Sequence, residues 1–472
     1  MVRDHLHGLL MREHPTGRRP AGGRGLRWMF VSLAVLSLQG IGCQTELMKT
    51  PNLYRTPESN PFAQVPPALQ KNTVEVLFGT DRQPEQTREG KLGFSYQRSR
   101  SLMVGACTVE IGKDLSWDEL VRQSLATSRD RALPVRAVRL DQIARYPEEP
   151  LPFRKASGSA AAKRPDSGPA SGGPSPNPGP FSFEEDPAAL AEQAEAESTF
   201  RQALSERLRA TPRKEVFVLV HGVGTSLEDA SCVMAQLWHY MGRIGVPVVY
   251  SWPAGYSHGT IQRYTRDRES GEFTIYHLKQ FLRAVASCPD VEKVHVLAHS
   301  RGTDIATTAL RELNIEYRAA GKQTQRELKL GNVVLIAADM DYEVLTQRFG
   351  AERLFFVSQR FTFYLSESDK AMGAAEWLFS SARRVGAVRP GADLDPRQTK
   401  ALAEFPQQVQ LIQVWVHGDS FGHSYFYTSP AVVSDLILLL RDEADPGAEH
   451  GRPLVRRQGS FWELRDPYPL TK

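Results

Sequence analysis

From Glu215 to about residue 445 the chain alternates short, nearly unbroken apolar runs with longer stretches whose apolar positions recur every three or four residues. The runs are EVFVLV (215–220), PVVYSW (247–252), KVHVLA (293–298), NVVLIAA (332–338), RFTFYLS (360–366) and QLIQVWV (410–416). Runs of this length, rich in β-branched residues and without a polar face, predict strands covered on both sides. Between them, SLEDASCVMAQLWHYMGRIG, FTIYHLKQFLRAVAS and TDIATTALRELNIEYRA predict amphipathic helices, and SPAVVSDLILLLRDE closes the series. Such alternation specifies βαβ units: an α/β fold over 213–445, with a mostly parallel sheet and helices on both faces.

The flanks have a different texture. NTVEVLFGTDR (72–82), SLMVGACTVEIG (101–112) and RALPVRAVRLDQI predict a small N-terminal β-containing region over 71–154. Within it, Thr80-Asp81-Arg82 reads as a turn whose Asp–Arg pair pins the region. KASGSAAAKRPDSGPASGGPSPNPGP opens a disordered linker over 155–185, because its Pro, Gly and Ser bury too little apolar surface to offset the entropy of ordering. Residues 186–212, rich in Ala and Glu, predict a helix. Residues 44–70 read as a tether and 446–472 as a C-terminal tail.

Charge sharpens the N-terminus. Residues 1–27 hold six arginines against Asp4 and Glu13, which accounts for the formal net charge of +4. No basic footprint for nucleic acid is left in the remainder. The basic stretch runs into an apolar segment from Trp28 to Leu38, then Gly40, Gly42 and Cys43. A helix needs about 20 apolar residues to span a bilayer, so the layout is that of a secretory signal over 1–43. The cysteine after small residues resembles the lipobox of bacterial lipoproteins, which implies lipidation at Cys43, export and a membrane anchor facing the periplasm or cell surface. That leaves Cys107, Cys232 and Cys288, which allow at most one disulfide.

The chemistry sits just after the strands, where an open α/β sheet places its site. KVHVLA runs into Ala298-His299-Ser300-Arg301-Gly302, a G-x-S-x-G nucleophile turn with Ala for the first Gly. A serine hydroxyl needs a base to take its proton, an acid to orient the base, and N–H donors for the oxyanion. EVFVLV is followed by His221-Gly222-Val223-Gly224, so the backbone N–H groups of Val223 and Arg301 are the candidate donors. The candidate acids are Asp369, after RFTFYLS, and Asp341, after NVVLIAA. The candidate bases are His423 and His417, both after QLIQVWV. Trp252, Tyr256 and His258 follow PVVYSW and are candidates for lining a pocket. The competing reading of Ser300 alone is a helix N-cap. No HExxH, CxxC or phosphate-binding Gly loop is present, so no metal or cofactor is expected.

Taken together, FGTDR, GACTVEIG, FVLVHGVGTSLEDA, YSWPAG, LAHSRGTD, VVLIAADMD, FYLSESDKAM and GHSYFYTSP resemble an α/β-hydrolase of the serine esterase/lipase type. More narrowly, they resemble a bacterial branch of that superfamily known as a domain of unknown function. The resemblance implies an α/β-hydrolase fold and a triad of Ser300, Asp369 and His423, in the chain order of that superfamily. It implies hydrolysis of a small-molecule or lipid carboxylic ester through an acyl-enzyme. The alternatives are an acyltransferase or amidase using the same triad, or a non-catalytic binding or scaffold lipoprotein.

Overall fold

A computed structural model of the chain describes residues 45–55, 59–155, 183–255, 260–367, 369, 385–387, 404, 408–416, 422–458 and 460–469. The apolar runs form strands, and one that lacks a polar face, such as Glu215–Val220, is buried along its whole length. In chain order the strands are β1 Thr45–Glu46, β2 Thr73–Gln86, β3 Leu92–Ile111, β4 Pro134–Arg145, β5 Phe153–Lys155, β6 Phe183–Glu185, β7 Glu215–Val220, β8 Val246–Ser251, β9 Lys293–His299, β10 Leu330–Ile336, β11 Arg360–Leu365, β12 Val409–Val414, β13 Val455–Gln458 and β14 Phe461–Leu464. The helices that matter here are α1 Trp117–Leu125, α2 Pro187–Arg209, α3 Leu227–Tyr240, α4 Thr260–Ser287, α5 Gly302–Ala319, α6 Tyr342–Thr346 and α7 Pro430–Leu440.

All strands except the β5–β6 pair join one sheet, ordered β1-β4-β3-β2-β8-β7-β9-β10-β11-β12-β14-β13. From β2 to β14 every neighbouring pair is parallel. β1, β3 and β4 extend one edge antiparallel, and β13 does so at the other. Alternation along β7 divides the core. Val216, Val218 and Val220 pack with α2, α4 and α5 on one face. Phe217 and Leu219 pack with α3 and α7 on the other. This is the mostly parallel sheet with helices on both faces that the pattern predicts, an α/β-hydrolase fold.

The flanks differ from their sequence reading. Residues 72–145 form strands that belong to the main sheet: β2 lies parallel to β8, from Leu77 against Val248 to Thr80 against Ser251. Val76, Leu77 and Phe78 are each wholly buried, which requires partners on both faces of the strand. Thr80-Asp81-Arg82 is part of β2 rather than a turn, and the buried partner of Asp81 is His277, at 3.0 Å, rather than Arg82. The expected tether is instead packed: Leu47, Met48, Tyr54, Phe62 and Val65 enter the core, spaced too irregularly for any periodicity to reveal them. The expected tail supplies β13 and β14, where Phe461, Trp462 and Leu464 bury against β12. Arg452 anchors it, donating to Asp435 of α7 at 2.9 and 2.8 Å and to Gln410 at 2.7 Å. Of the linker, residues 156–182 lie outside the described residues, and at its margins β5 pairs with β6. Cys107, Cys232 and Cys288 are buried free thiols. Among the described residues no helix is long and apolar enough to cross a membrane, and Cys43 lies outside them.

Candidate active site

β9 ends at His299 and α5 begins at Gly302, which leaves Ser300 to make the corner. Ser300 has φ of +54°, a left-handed conformation that costs a residue with a Cβ about 1–2 kcal/mol. Its neighbours hold it there: Ser300 N–H donates to Ile336 O at 2.9 Å, and its carbonyl accepts from Thr303 N and Oγ1 at 3.0 and 2.7 Å. These bonds tie the corner to β10 on one side and to the first turn of α5 on the other.

Close backbone contacts explain the residue types around the corner. A Cβ on Gly302 would stand 2.5 Å from the carbonyl oxygens of Val220 and His221, so only glycine lets α5 start this close to β7. The strand position Ala298 is less demanding. It is fully buried, paired with Val220 and Leu335, and the core has room for one methyl. Gly222 faces Ser300: a Cβ there would stand 2.8 Å from Ser300 Cβ and 3.3 Å from Ser300 Oγ.

The remaining candidates converge from other strands. Asp369 follows β11, its side chain is completely buried, and its Oδ2 stands 2.7 Å from Nδ1 of His423. The His423 side chain is 18% exposed, so the ring is reachable from outside. Its ring packs on that of His299 with centroids 4.8 Å apart, and His299 Nε2 lies 3.0 Å from the His423 carbonyl oxygen. A carbonyl only accepts, so that nitrogen carries the hydrogen. His299, the residue before Ser300, therefore brings the His423 loop to the Ser300 turn.

Asp341 is engaged elsewhere. It caps α6, its Oδ1 accepting from the amides of Glu343 and Val344 at 2.8 and 3.1 Å. His417, Tyr256 and His258 lie outside the described residues. Trp252 is buried, stacked on His221 with centroids 5.5 Å apart, and donates to the His221 carbonyl at 2.7 Å. The backbone N–H groups of Val223 and Arg301 have no acceptor among the described residues. The Arg301 side chain turns away to Asp304, at 2.7 Å.

Behind the Val223 loop lies a layer of buried polar groups that the sequence reading missed. His221 lies between Ser251 and the Gly222 carbonyl, and burial together with the charge of Arg82 pushes its pKa down to about 3. Asp267 of α4 accepts from Gly224 N–H at 3.0 Å and from Gly255 N–H at 3.1 Å. Neither the tripeptide holding Arg82 nor an aspartate inside a long helix carries a local pattern that would announce this destination.

Among the described residues one cluster has the composition of a metal site: Glu215, His295 and Glu443, near the amino ends of the strands. Its chemistry does not fit. The backbone N–H of Asn332 donates to Nδ1 of His295 at 3.3 Å, and a main-chain donor cannot be reversed. Nδ1 is therefore the acceptor, so Nε2 carries the hydrogen and turns it toward Glu215 at 3.5 Å. Arg213 and Lys293 already neutralise the two carboxylates. The cluster reads as a structural ion network.

A parallel sheet flanked by helices, with a strained serine between strand and helix and a histidine–aspartate pair from later loops, defines the α/β-hydrolase class. The chain belongs to a family described as alpha/beta hydrolases of unknown function (DUF900), whose model matches residues 196–441. No curated protein matches the sequence.

Proposed function

We propose that the protein is a serine hydrolase that cleaves carboxylic esters through an acyl-enzyme, held at a membrane by lipid on Cys43. The observation that carries this reading is the 2.7 Å pairing of Asp369 with His423, beside the strained turn of Ser300. His423 takes the proton of Ser300 as the hydroxyl attacks the ester carbonyl. Asp369 accepts the Nδ1 hydrogen, which fixes the tautomer and stabilises the imidazolium that forms. The amides of Val223 and Arg301 receive the oxyanion, each such donor being worth about 3–4 kcal/mol in the transition state. His423 then returns the proton to the leaving alcohol and activates the water that releases the acid. The substrate is a small-molecule or lipid ester, and the chemistry draws on no metal or cofactor.

A fluorophosphonate probe tests the reading. It should label the intact protein on Ser300, and Ser300→Ala should abolish labelling. Folded wild-type protein that stays unlabelled would sink the proposal. Sensitivity of precursor processing to globomycin tests the lipid anchor separately.

A further inference from the structure

Arg82 lies on β2, outside the segment that the family model matches, yet it reaches the loop after β7. It is buried, 3% exposed. Its Nε donates to Ser251 Oγ at 2.9 Å, one terminal nitrogen to Ala254 O at 2.9 Å, and the other to Thr225 O at 2.6 Å. These partners are uncharged: Thr225 and Ala254 lie in the loops after β7 and β8, and Ser251 ends β8 itself; a longer contact of 3.5 Å runs to Ser95 O of β3. A planar fork spread over fixed oxygens is a geometric clamp, which a lysine cannot reproduce.

The hydrogens along this chain can be assigned. Ser251 Oγ accepts from Arg82 and lies 3.0 Å from His221 Nε2, to which it donates because the ring hydrogen sits on Nδ1. The terminal nitrogen that binds Thr225 also lies 3.5 Å from the same Nε2. His221 Nδ1 is 2.8 Å from Gly222 O, which can only accept, so Nδ1 carries the single ring hydrogen. The Gly222–Val223 peptide is planar and trans, so its C=O and N–H point in opposite directions. Capture of the carbonyl by His221 turns the Val223 N–H away from the ring. Gly222 itself lies against Ser300, and Asp267 holds the next amide, that of Gly224.

We propose that Arg82 is a positioning residue for the oxyanion loop: acting through Ser251 and His221, it sets the Gly222–Val223 peptide plane so that the Val223 N–H faces the substrate oxygen. The inference rests on the serine-hydrolase reading. A buried arginine on uncharged acceptors is an unusual way to hold a sheet together, whereas it suits a loop whose peptide planes must be fixed.

The test uses the full chain with p-nitrophenyl acetate as probe substrate, comparing wild type with Arg82→Met and Arg82→Lys. It reads kcat, KM and hydrogen exchange in peptides covering residues 221–226. Loss of one aligned oxyanion donor predicts that kcat falls about 100-fold or more while KM stays within about threefold. Arg82→Lys should recover only a minor part of kcat, and the 221–226 amides should exchange faster in both variants. Unchanged exchange in folded Arg82→Met overturns the inference, as does faster exchange with unchanged kcat. If Arg82→Met does not fold, Arg82→Lys, read in the same way, decides. A wild-type chain that leaves the ester untouched counts against the hydrolase reading alone. In that case the exchange data still support or overturn the role of Arg82 in holding the loop.

Discussion

Of the histidine–carboxylate pairs, two lie at opposite ends of the parallel strands, and the proposed function gives a chemical role to only one of them. At the carboxyl end His423 meets Asp369 at 2.7 Å, with its ring partly exposed and packed on the residue before Ser300. At the amino end His295 faces Glu215 at 3.5 Å, fully buried, stacked on Phe217 and accepting from Asn332. The inner ring is enclosed by its own protein, while the outer one is partly open to solvent. A histidine–carboxylate pair is thus a site only where access and a nucleophile accompany it. At the inner end the same chemistry serves cohesion.

The sharpest way to break this contrast is to separate activity from stability. Ser300→Ala should lower ester turnover by about 10⁶-fold, the scale found for unit-acting triads, without lowering the thermal midpoint. Asp369→Asn should cost about 10⁴-fold in kcat, because the histidine then loses the acceptor that fixes its tautomer. Asp341→Asn is the control: kcat should hold, and stability should fall by at most about 1 kcal/mol from a weakened helix cap. If Asp341→Asn is the inactive variant, the assignment of the acid is wrong.

Gly222→Ala should lower kcat about 100-fold, since the added methyl would meet Ser300 at 2.8 Å and push the donor loop off the oxyanion. At the other end, His295→Gln should cost about 1–3 kcal/mol in denaturant unfolding while kcat per folded molecule is unchanged. A zinc-dependent rise in its melting temperature would reverse the reading of that cluster.

The smallest effect is spread over pH. Burial lowers the pKa of His221, His239 and His295 below the ordinary 6.5, to about 3 for His221. Below pH 6.5 the unfolded chain therefore binds protons that the native chain refuses. Stability from these groups is complete above pH 6.5 and drains away as pH falls, at up to about 1.4 kcal/mol per pH unit for each histidine. Melting temperatures taken from pH 8 down to 4 should decline from near 6.5, and replacing His295 should shallow the slope.

The core strands were legible because β-branched runs such as KVHVLA mark a strand whichever partner it finds. The candidate site was legible because its polar residues follow those runs directly. Ser300, Asp369 and His423 each stand in a loop beyond a strand. What escaped was long-range. Nothing local distinguishes a β2 paired with β8 from a β2 in a separate region, because the pairing joins residues some 170 positions apart. Arg82 stands next to Asp81 in sequence, yet the buried partner of Asp81 is His277 and Arg82 binds Ser251. FWEL at 461–464 was too short to register, and residues 45–70 bury side chains through turns that have no period.

The pairing of β2 with β8 also bears on the order in which the molecule assembles. The Ser300 turn closes on contacts within a few residues and with the next strand, so it can form as soon as that βαβ unit does. The loop after β7 is held from β2 as well, since Arg82 reaches Ser251 across 169 residues. Contacts of such separation form slowly, because the entropy of closing the loop comes first. On this topology the Ser300 turn depends on near neighbours, whereas the loop facing it is held from β2, so the candidate site is complete only once β2 has paired with β8.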